Sequence, residues 1–497
     1  MSSSERVACK EDAIPIAFRL ICGFGWLVAT VSAVAGTIAL DPTRVGGITV
    51  ALCTFLFLVE ARRRRLWPRF DSSSPWMWGL MGAAVLGRLI WWIMDDSVPV
   101  SDFRTYLELG RTWAEQGVFG LEGPSNHRPA GVPALIAGLI RLGLPPVSSF
   151  RLLNVGFVFA TAWALFRCVR DGSGTAAVGW ASAAAWLSLP STVLGVSLLG
   201  TEFAFMALLA GYLWAATRIE AHGATWLVSV WGGLSIGLAC HFRPEAQLLP
   251  PFVLGMSAVF RPSHRGRRAL RHGLVVLVMV ITLLPWAVRN SQAFDRFWLT
   301  SSAGGFAFFL ANHPGATGSH VDALPADFVA LDEVERNREG FERGLRWIRE
   351  NPAAFLRLIP LKWYQVFRTQ QAFVSGALVP SQRWRSLLVP AHGLTQVAYL
   401  VLLGLAGLAV WRGHISAALG IAVVTPWVLK LGMHVFFHGE PRYQVTVLPS
   451  LCLLAGLGWA GIGPGRRGDW LQAETSPVGV EREAGSVPCS QPSTAEK

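Results

Sequence analysis

Apolar runs close to the length of a bilayer crossing recur along most of this chain, and no other feature narrows its fold as far. A helix needs about 20 mostly apolar residues to cross a hydrocarbon core. In that core every backbone polar group must be bonded internally, which leaves helices or closed barrels. The runs fall at 14–40, 46–60, 75–94, 150–167, 175–192, 202–217, 224–240, 246–260, 273–288, 391–411, 415–437 and 443–463. They predict an all-α polytopic membrane protein of about 12 transmembrane helices, with re-entrant or interfacial helices and a large external loop. Composition agrees: of 497 residues, 52% are hydrophobic and 15% charged, against about 25% charged in an average soluble chain. The mean hydropathy is +0.42. These values exclude a soluble, fibrous or disordered protein.

The net charge of +12 would raise nucleic-acid binding in a soluble protein. Here the basic residues stand in short blocks between apolar runs, which is a topology signal, so no nucleic-acid partner is expected. Lysine occurs only at Lys10, Lys362, Lys430 and Lys497, and the arginine bias reads as coding bias of a GC-rich genome. Cys9, Cys22, Cys53, Cys168, Cys240, Cys452 and Cys489 show no CxxC or paired spacing. Most read as small buried hydrophobes with no disulfide framework. The run from Ile14 to Leu40 exceeds the ~7–15 residues of a signal-peptide core and reads as a retained anchor.

Basic blocks set the expected orientation. ARRRRLWPR (61–69), Arg167, Arg170, Arg218, RPSHRGRRALRH (261–272), Arg412, Arg466 and Arg467 all fall inside if 61–69 does. Both termini are then cytoplasmic. Parity requires that 130–143 does not cross, and its length suits a re-entrant or interfacial helix. The chain divides into a first part with the N-terminal hairpin and third span (1–94), a first external loop (95–149), a transmembrane core (150–288), a large external loop (289–390), C-terminal spans (391–463) and a disordered cytoplasmic tail (464–497). Within the large loop, 325–350 reads as one charged amphipathic helix, and 351–367 as an interfacial helix with Trp and Tyr at headgroup level. The sequence contains no internal repeat.

Charged residues near a membrane are costly unless paired or used. Here they gather at the expected outer ends of spans: Asp95, Asp96, Asp102, Glu202, Arg243, Glu245, Arg289, Lys362, Glu440 and Arg442, with the polar Asn290 and Tyr443 beside them. Each alone reads as an ordinary rim residue. Together, carboxylates beside several cations suit an anionic, lipid-linked substrate. Arginines neutralise phosphate, best in bidentate fashion, and a carboxylate takes a proton from an attacking hydroxyl.

SDFRTYLELGRTWAEQG (101–117), with Asp102 four residues before Tyr106, resembles the first external loop of the GT-C glycosyltransferases. The branch is that of the protein O-mannosyltransferases and the lipid A aminoarabinose transferase. HRPAGVPALIAGL (127–139), LLGTEFAFMALL (198–209), LPWAVRN (284–290), LTSSAGGFAFFLANHPGATG (299–318) and EPRYQVTVLP (440–449) resemble later stretches in family order. The resemblance implies an inverting transferase on the outer face of the cell (inner) membrane. It would use a polyprenyl-phosphate sugar donor, the lipid bilayer and a hydroxyl acceptor of open class. It implies Asp102 as general base and Glu202 as an orienting carboxylate, the catalytic pair. Arg128 is implied for the donor phosphate, with Arg289, Arg442 and Lys362 as further candidates. Asp96, Arg104, Tyr106, Arg243, Glu245, Asn290, Asn312 and Tyr443 complete the expected substrate-binding set. Asp96 is the alternative base.

Phe103 stands where protein O-mannosyltransferases commonly carry the second acid of a pair, and no MIR-like domain is visible, so the acceptor stays open. No cofactor and no metal are expected, although His434 and His438, spaced i, i+4 near Glu440, have a spacing that could hold a divalent ion. The glycines of 299–318 read as a flexible loop. The rival functions are a transporter or flippase, a surface-glycan ligase or polymerase, and a docking protein. A transporter predicts midplane charge pairs and repeat symmetry, and the sequence has neither.

Overall fold

The computed structural model describes residues 16–40, 45–63, 75–173, 176–261, 265–321, 323–412, 415–460 and 462. Most of the basic block 61–69, part of 261–272, and the tail with Arg466 and Arg467 lie outside the described residues. Every regular element described is a helix. In order they are α1 Ile16–Leu40, α2 Val45–Arg63, α3 Pro75–Met94, α4 Asp102–Gln116, α5 Gly131–Arg141, α6 Pro146–Ser173, α7 Ala176–Leu187 and α8 Pro190–Leu194. There follow α9 Glu202–His222, α10 Trp226–Cys240, α11 Leu249–Phe260, α12 Arg265–Phe294, α13 Gly304–Ala311, α14 Ala326–Val329 and α15 Glu333–Glu350. Last come α16 Pro352–Phe367, α17 Gln371–Leu378, α18 Leu388–Arg412, α19 Ala417–Phe436 and α20 Leu448–Ala460.

Among the described residues, four stretches are long and apolar enough to cross a membrane: Pro146–Gly172, Gly266–Phe294, Arg385–Arg412 and Ala417–Phe436. A fifth is the bent pair Ala176–Leu187 and Pro190–Ser197, at 64°. Six shorter apolar helices of 10–17 residues accompany them among the described residues. The core runs through the bundle, with Trp186, Phe203, Phe205, Tyr212, Tyr399 and Leu454 buried in one continuous cluster.

The break between α7 and α8 has a local cause. Proline disfavours helical geometry in the residue before it, and Leu189 is extended (φ −68°, ψ 121°) ahead of Pro190. The break orphans carbonyls at the end of α7. Arg88, 1% exposed inside α3, meets them: its Nη2 donates to Leu187 O at 2.9 Å and to Thr192 Oγ1 at 2.6 Å. This mid-helix cation is a fastener on backbone and hydroxyl oxygens.

Contacts sort the chain into two ends. At one, Arg151 near the start of α6 meets Asp95 after α3 at 3.0 Å. Trp384 Nε1, just ahead of α18, donates to Met94 O at 3.0 Å. At the other, the ends of α6 and α9 meet through Arg218 and Asp171 at 3.2 Å. Glu220 there meets His272 of α12 at 2.7 Å.

The amphipathic segment of the large loop departs from the expected single helix over 325–350. It divides into α14 and α15. Asp332 caps α15, its carboxylate accepting from Glu335 N at 2.8 Å, so the helix starts at Glu333 and the intervening residues turn.

Candidate functional site

Asp102 is the first residue of α4. Ser101 before it holds a left-handed φ of 52°, a costly conformation for a residue with a Cβ, and this turns the chain into the helix. The helix N-terminus favours the negative charge. Two arginines from distant parts of the chain close on the carboxylate. Arg128 Nη2 lies 2.7 Å from Asp102 Oδ1, and Arg442 Nη1 donates to Oδ2 at 2.7 Å. Burial works to raise the Asp102 carboxyl, but the two guanidiniums outweigh it and hold it below the usual carboxylate range. Arg442 also donates through Nε to Glu440 Oε2 at 2.7 Å.

A second ion-pair string extends from this group. Arg243 Nη2 donates to Glu202 Oε1 at 3.3 Å, and its Nη1 lies 3.7 Å from Glu245 Oε1. Lys430 of α19 lies 3.6 Å from the same Glu245 oxygen. Tyr443 joins the two strings. Arg243, Arg442 and Lys430 stand 5.6, 5.7 and 5.8 Å from the centre of its ring, within reach of its π-face. Glu202 is 4% exposed, and its Oε2 has no hydrogen-bond partner. A buried carboxylate oxygen left unbonded is costly. Tyr106 is buried beside Asp102 and Glu202, and burial pushes its phenol up to about 12, so it stays a neutral donor.

Other expected site residues are placed elsewhere. Asp96 accepts from Ser381 Oγ and from Arg383 N, tying the end of α3 to the segment before α18. Arg289 donates to Ser125 O at 2.9 Å and Phe119 O at 3.0 Å, and Asn290 donates to Trp298 O at 2.8 Å. Arg289 thereby braces the loop that carries Arg128, while Asn290 holds the segment that follows α12. Arg104 is exposed and pairs with Glu108. Lys362, fully buried, donates to Asn312 Oδ1 at 2.9 Å and Val435 O at 3.1 Å. Burial pushes its ammonium down to about 8.

Three contributors escaped sequence reasoning. Lys430 had a signal, as the one lysine inside an apolar run. Glu333 had none: its carboxylate accepts from Asn126 N at 2.8 Å and from Ser125 Oγ at 3.0 Å, locking the first loop to α15. His320 is the third. The i, i+4 pairing of His434 with His438 does not form, because α19 ends at Phe436 and the spacing converges only on a continuing helix. His434 instead stacks on Tyr443 at 5.7 Å. His438 turns to His320, and with Glu440 their ligand atoms lie within 4.8 Å of one another. Burial, helped by His320 and Arg442, pushes the His438 imidazole down to about 3, and its buried Nδ1 is unbonded. These three side chains could hold a divalent cation.

No family model matches the chain, and no curated protein matches it. Among solved structures, it is similar to ArnT from Cupriavidus metallidurans bound to undecaprenyl phosphate. The identity is 17% over 79% of this chain and 76% of that one, with a TM-score of 0.42. It is also similar to the archaeal oligosaccharyltransferase AglB from Archaeoglobus fulgidus, in complex with an inhibitory peptide and a dolichol-phosphate. Here the identity is 13% over 78% of this chain, with a TM-score of 0.44, and the match spans 50% of AglB.

Proposed function

We propose that this chain is a multi-pass membrane glycosyltransferase of the GT-C type with about 12 spans. It moves a sugar from a polyprenyl-phosphate donor to an acceptor hydroxyl on the outer face, with inversion. The observation that carries the reading is the clamp on Asp102: one carboxylate held at 2.7 Å by each of two arginines from separate segments. A guanidinium binds phosphate and carboxylate through the same geometry. The donor phosphate therefore competes with Asp102 for Arg128 and Arg442. As the guanidiniums turn to the phosphate, the carboxylate loses the charges that suppress its proton affinity. It becomes a competent base when the donor is in place.

The acceptor hydroxyl then gives its proton to Asp102 while its oxygen bonds the anomeric carbon. The bond from that carbon to the phosphate oxygen breaks, and polyprenyl phosphate leaves. Arg128 and Arg442 meet the negative charge as it develops, which is where stabilisation raises the rate. Glu202 Oε2 orients a hydroxyl of the sugar or acceptor. Arg243, Glu245 and Lys430 hold Glu202 and the Tyr443 ring in place behind it.

The test is transfer of labelled sugar in membranes, from a panel of polyprenyl-phosphate sugars into water, lipid and protein fractions. Wild type should release sugar and Asp102→Asn should not, with Asp96→Asn close to wild type. Full activity in Asp102→Asn with loss in Asp96→Asn would move the base to Asp96.

A further inference from the structure

The end of the bundle far from Asp102 carries a second convergence of cations that the transfer reaction does not use. In α9, Glu202 and Arg218 stand sixteen residues apart, about 24 Å along a helix. In α6, Arg151 and Arg167 have the same separation. At that far end Asp171 is shared by three arginines. Arg170 Nε lies 3.1 Å from its Oδ1, and Arg218 Nη1 and Arg167 Nη2 lie 3.2 and 3.6 Å from its Oδ2. Trp214 Nε1 donates to the same Oδ2 at 2.9 Å. Three guanidiniums on one carboxylate leave two positive charges over.

Their geometry is built. Arg167 lies over the rings of Trp163 and Trp214 at 5.7 and 5.3 Å, and Arg218 over Trp214 at 6.0 Å. The Nε atoms of Arg167 and Arg218 are buried without a hydrogen-bond partner. The side chains of Arg167, Arg218 and Arg170 are nonetheless 26, 32 and 40% exposed, so the guanidiniums reach the surface. Trp163 beside them is 55% exposed, and tryptophan settles at headgroup depth.

We propose that Arg167, Arg170 and Arg218 form a binding site for the phosphate headgroup of an anionic membrane phospholipid, with Trp163 against the acyl-glycerol region. A membrane source is favoured because the cations lie at the ends of α6 and α9 beside an exposed indole. A free anion would leave that apolar surface unused. Asp171 holds the three arginines at the right spacing and competes with the ligand.

The experiment is native mass spectrometry of the whole protein in neutral detergent. It is titrated with phosphatidylglycerol or with phosphatidylcholine of the same acyl chains. Wild type should retain phosphatidylglycerol at least about fivefold better per arginine engaged. Arg167→Gln with Arg218→Gln should bring the two lipids near parity. Arg267→Gln, an exposed arginine at the same end, removes charge outside the cluster and should change nothing. Asp171→Asn should raise phosphatidylglycerol retention, an effect that a purely structural role would not produce. Arg170→Gln, the most exposed of the three, should lower the preference even if the double variant fails to fold. Equal retention of both lipids by wild type overturns the proposal. So does an equal loss in Arg267→Gln, or an unchanged preference in Arg170→Gln. Displacement of phosphatidylglycerol by sodium phosphate at equal concentration overturns the lipid assignment.

Discussion

Asp102 and its two arginines make a prediction with opposite signs for binding and turnover. Asp102→Asn removes the competitor for Arg128 and Arg442, so polyprenyl phosphate should bind several-fold tighter. Turnover should fall by about 10²–10⁴, the range for loss of a general base. Equilibrium binding of labelled polyprenyl phosphate beside single-turnover transfer measures both, and weaker binding in the variant would sink the competition scheme. Lys362 makes a pH prediction. Its buried ammonium is lowered to about 8, against about 10.4 for a free lysine. Between those values the unfolded chain holds the extra proton, so stability should rise with pH across that window. Thermal unfolding in detergent at pH 7.5 and 9.5 should show the rise in wild type and lose it in Lys362→Met. A rise that persists in the variant assigns it to another group.

At the level of elements, the first loop is positioned by a helix far away in sequence. Asp332 caps α15, and Glu333 one residue later holds Ser125 and Asn126, only two or three residues before Arg128. Glu333→Gln should therefore speed amide exchange over 119–128 and weaken donor binding, with the bound turnover rate little changed. Unchanged exchange there would disconnect the two elements. A second test is packing. A Cβ on Gly456 of α20 would fall 2.1 Å from Ser182 Oγ and 2.6 Å from Ser182 N in α7, so Gly456→Leu should cost about 1–3 kcal/mol or more as overpacking. A variant that melts with wild type in detergent would refute that contact. Periodicity and apolar length made the helices readable, and Asp332 with Glu335 is a readable capping pattern. The bend at Pro190 had a local signal too. The partners of Glu333 and the carbonyls met by Arg88 depend on which elements pack together, and no local spacing encodes that. Asp102, Arg128 and Arg442 were legible through motifs. Arg289 is an arginine like Arg128 and Arg442 but is consumed by backbone carbonyls, a difference only the fold decides.

For the whole molecule, one question of parity governs where the candidate site faces. The chain leaves α3 and enters α6 at one level, because Arg151 meets Asp95 at 3.0 Å. Between them α5 has 11 residues, which is about 16 Å of helix against a hydrocarbon core of about 30 Å. The same level holds the start of α9, the end of α10 and the turn after α19, through Glu202, Arg243 and Arg442. Asp171, Arg218 and Glu220 with His272 hold the opposite level. If arginine-rich ends stay in the cytoplasm, the Asp102 group faces outward, where a lipid-linked donor and an external hydroxyl would meet. Reporter fusions decide it. A fusion at residue 146 should read as external and one at residue 223 as cytoplasmic. A cytoplasmic signal at 146 with an external one at 223 would turn the molecule over and place the transfer site inside. The same side at both would mean that α6 through α9 do not cross as the ion pairs at their two ends require.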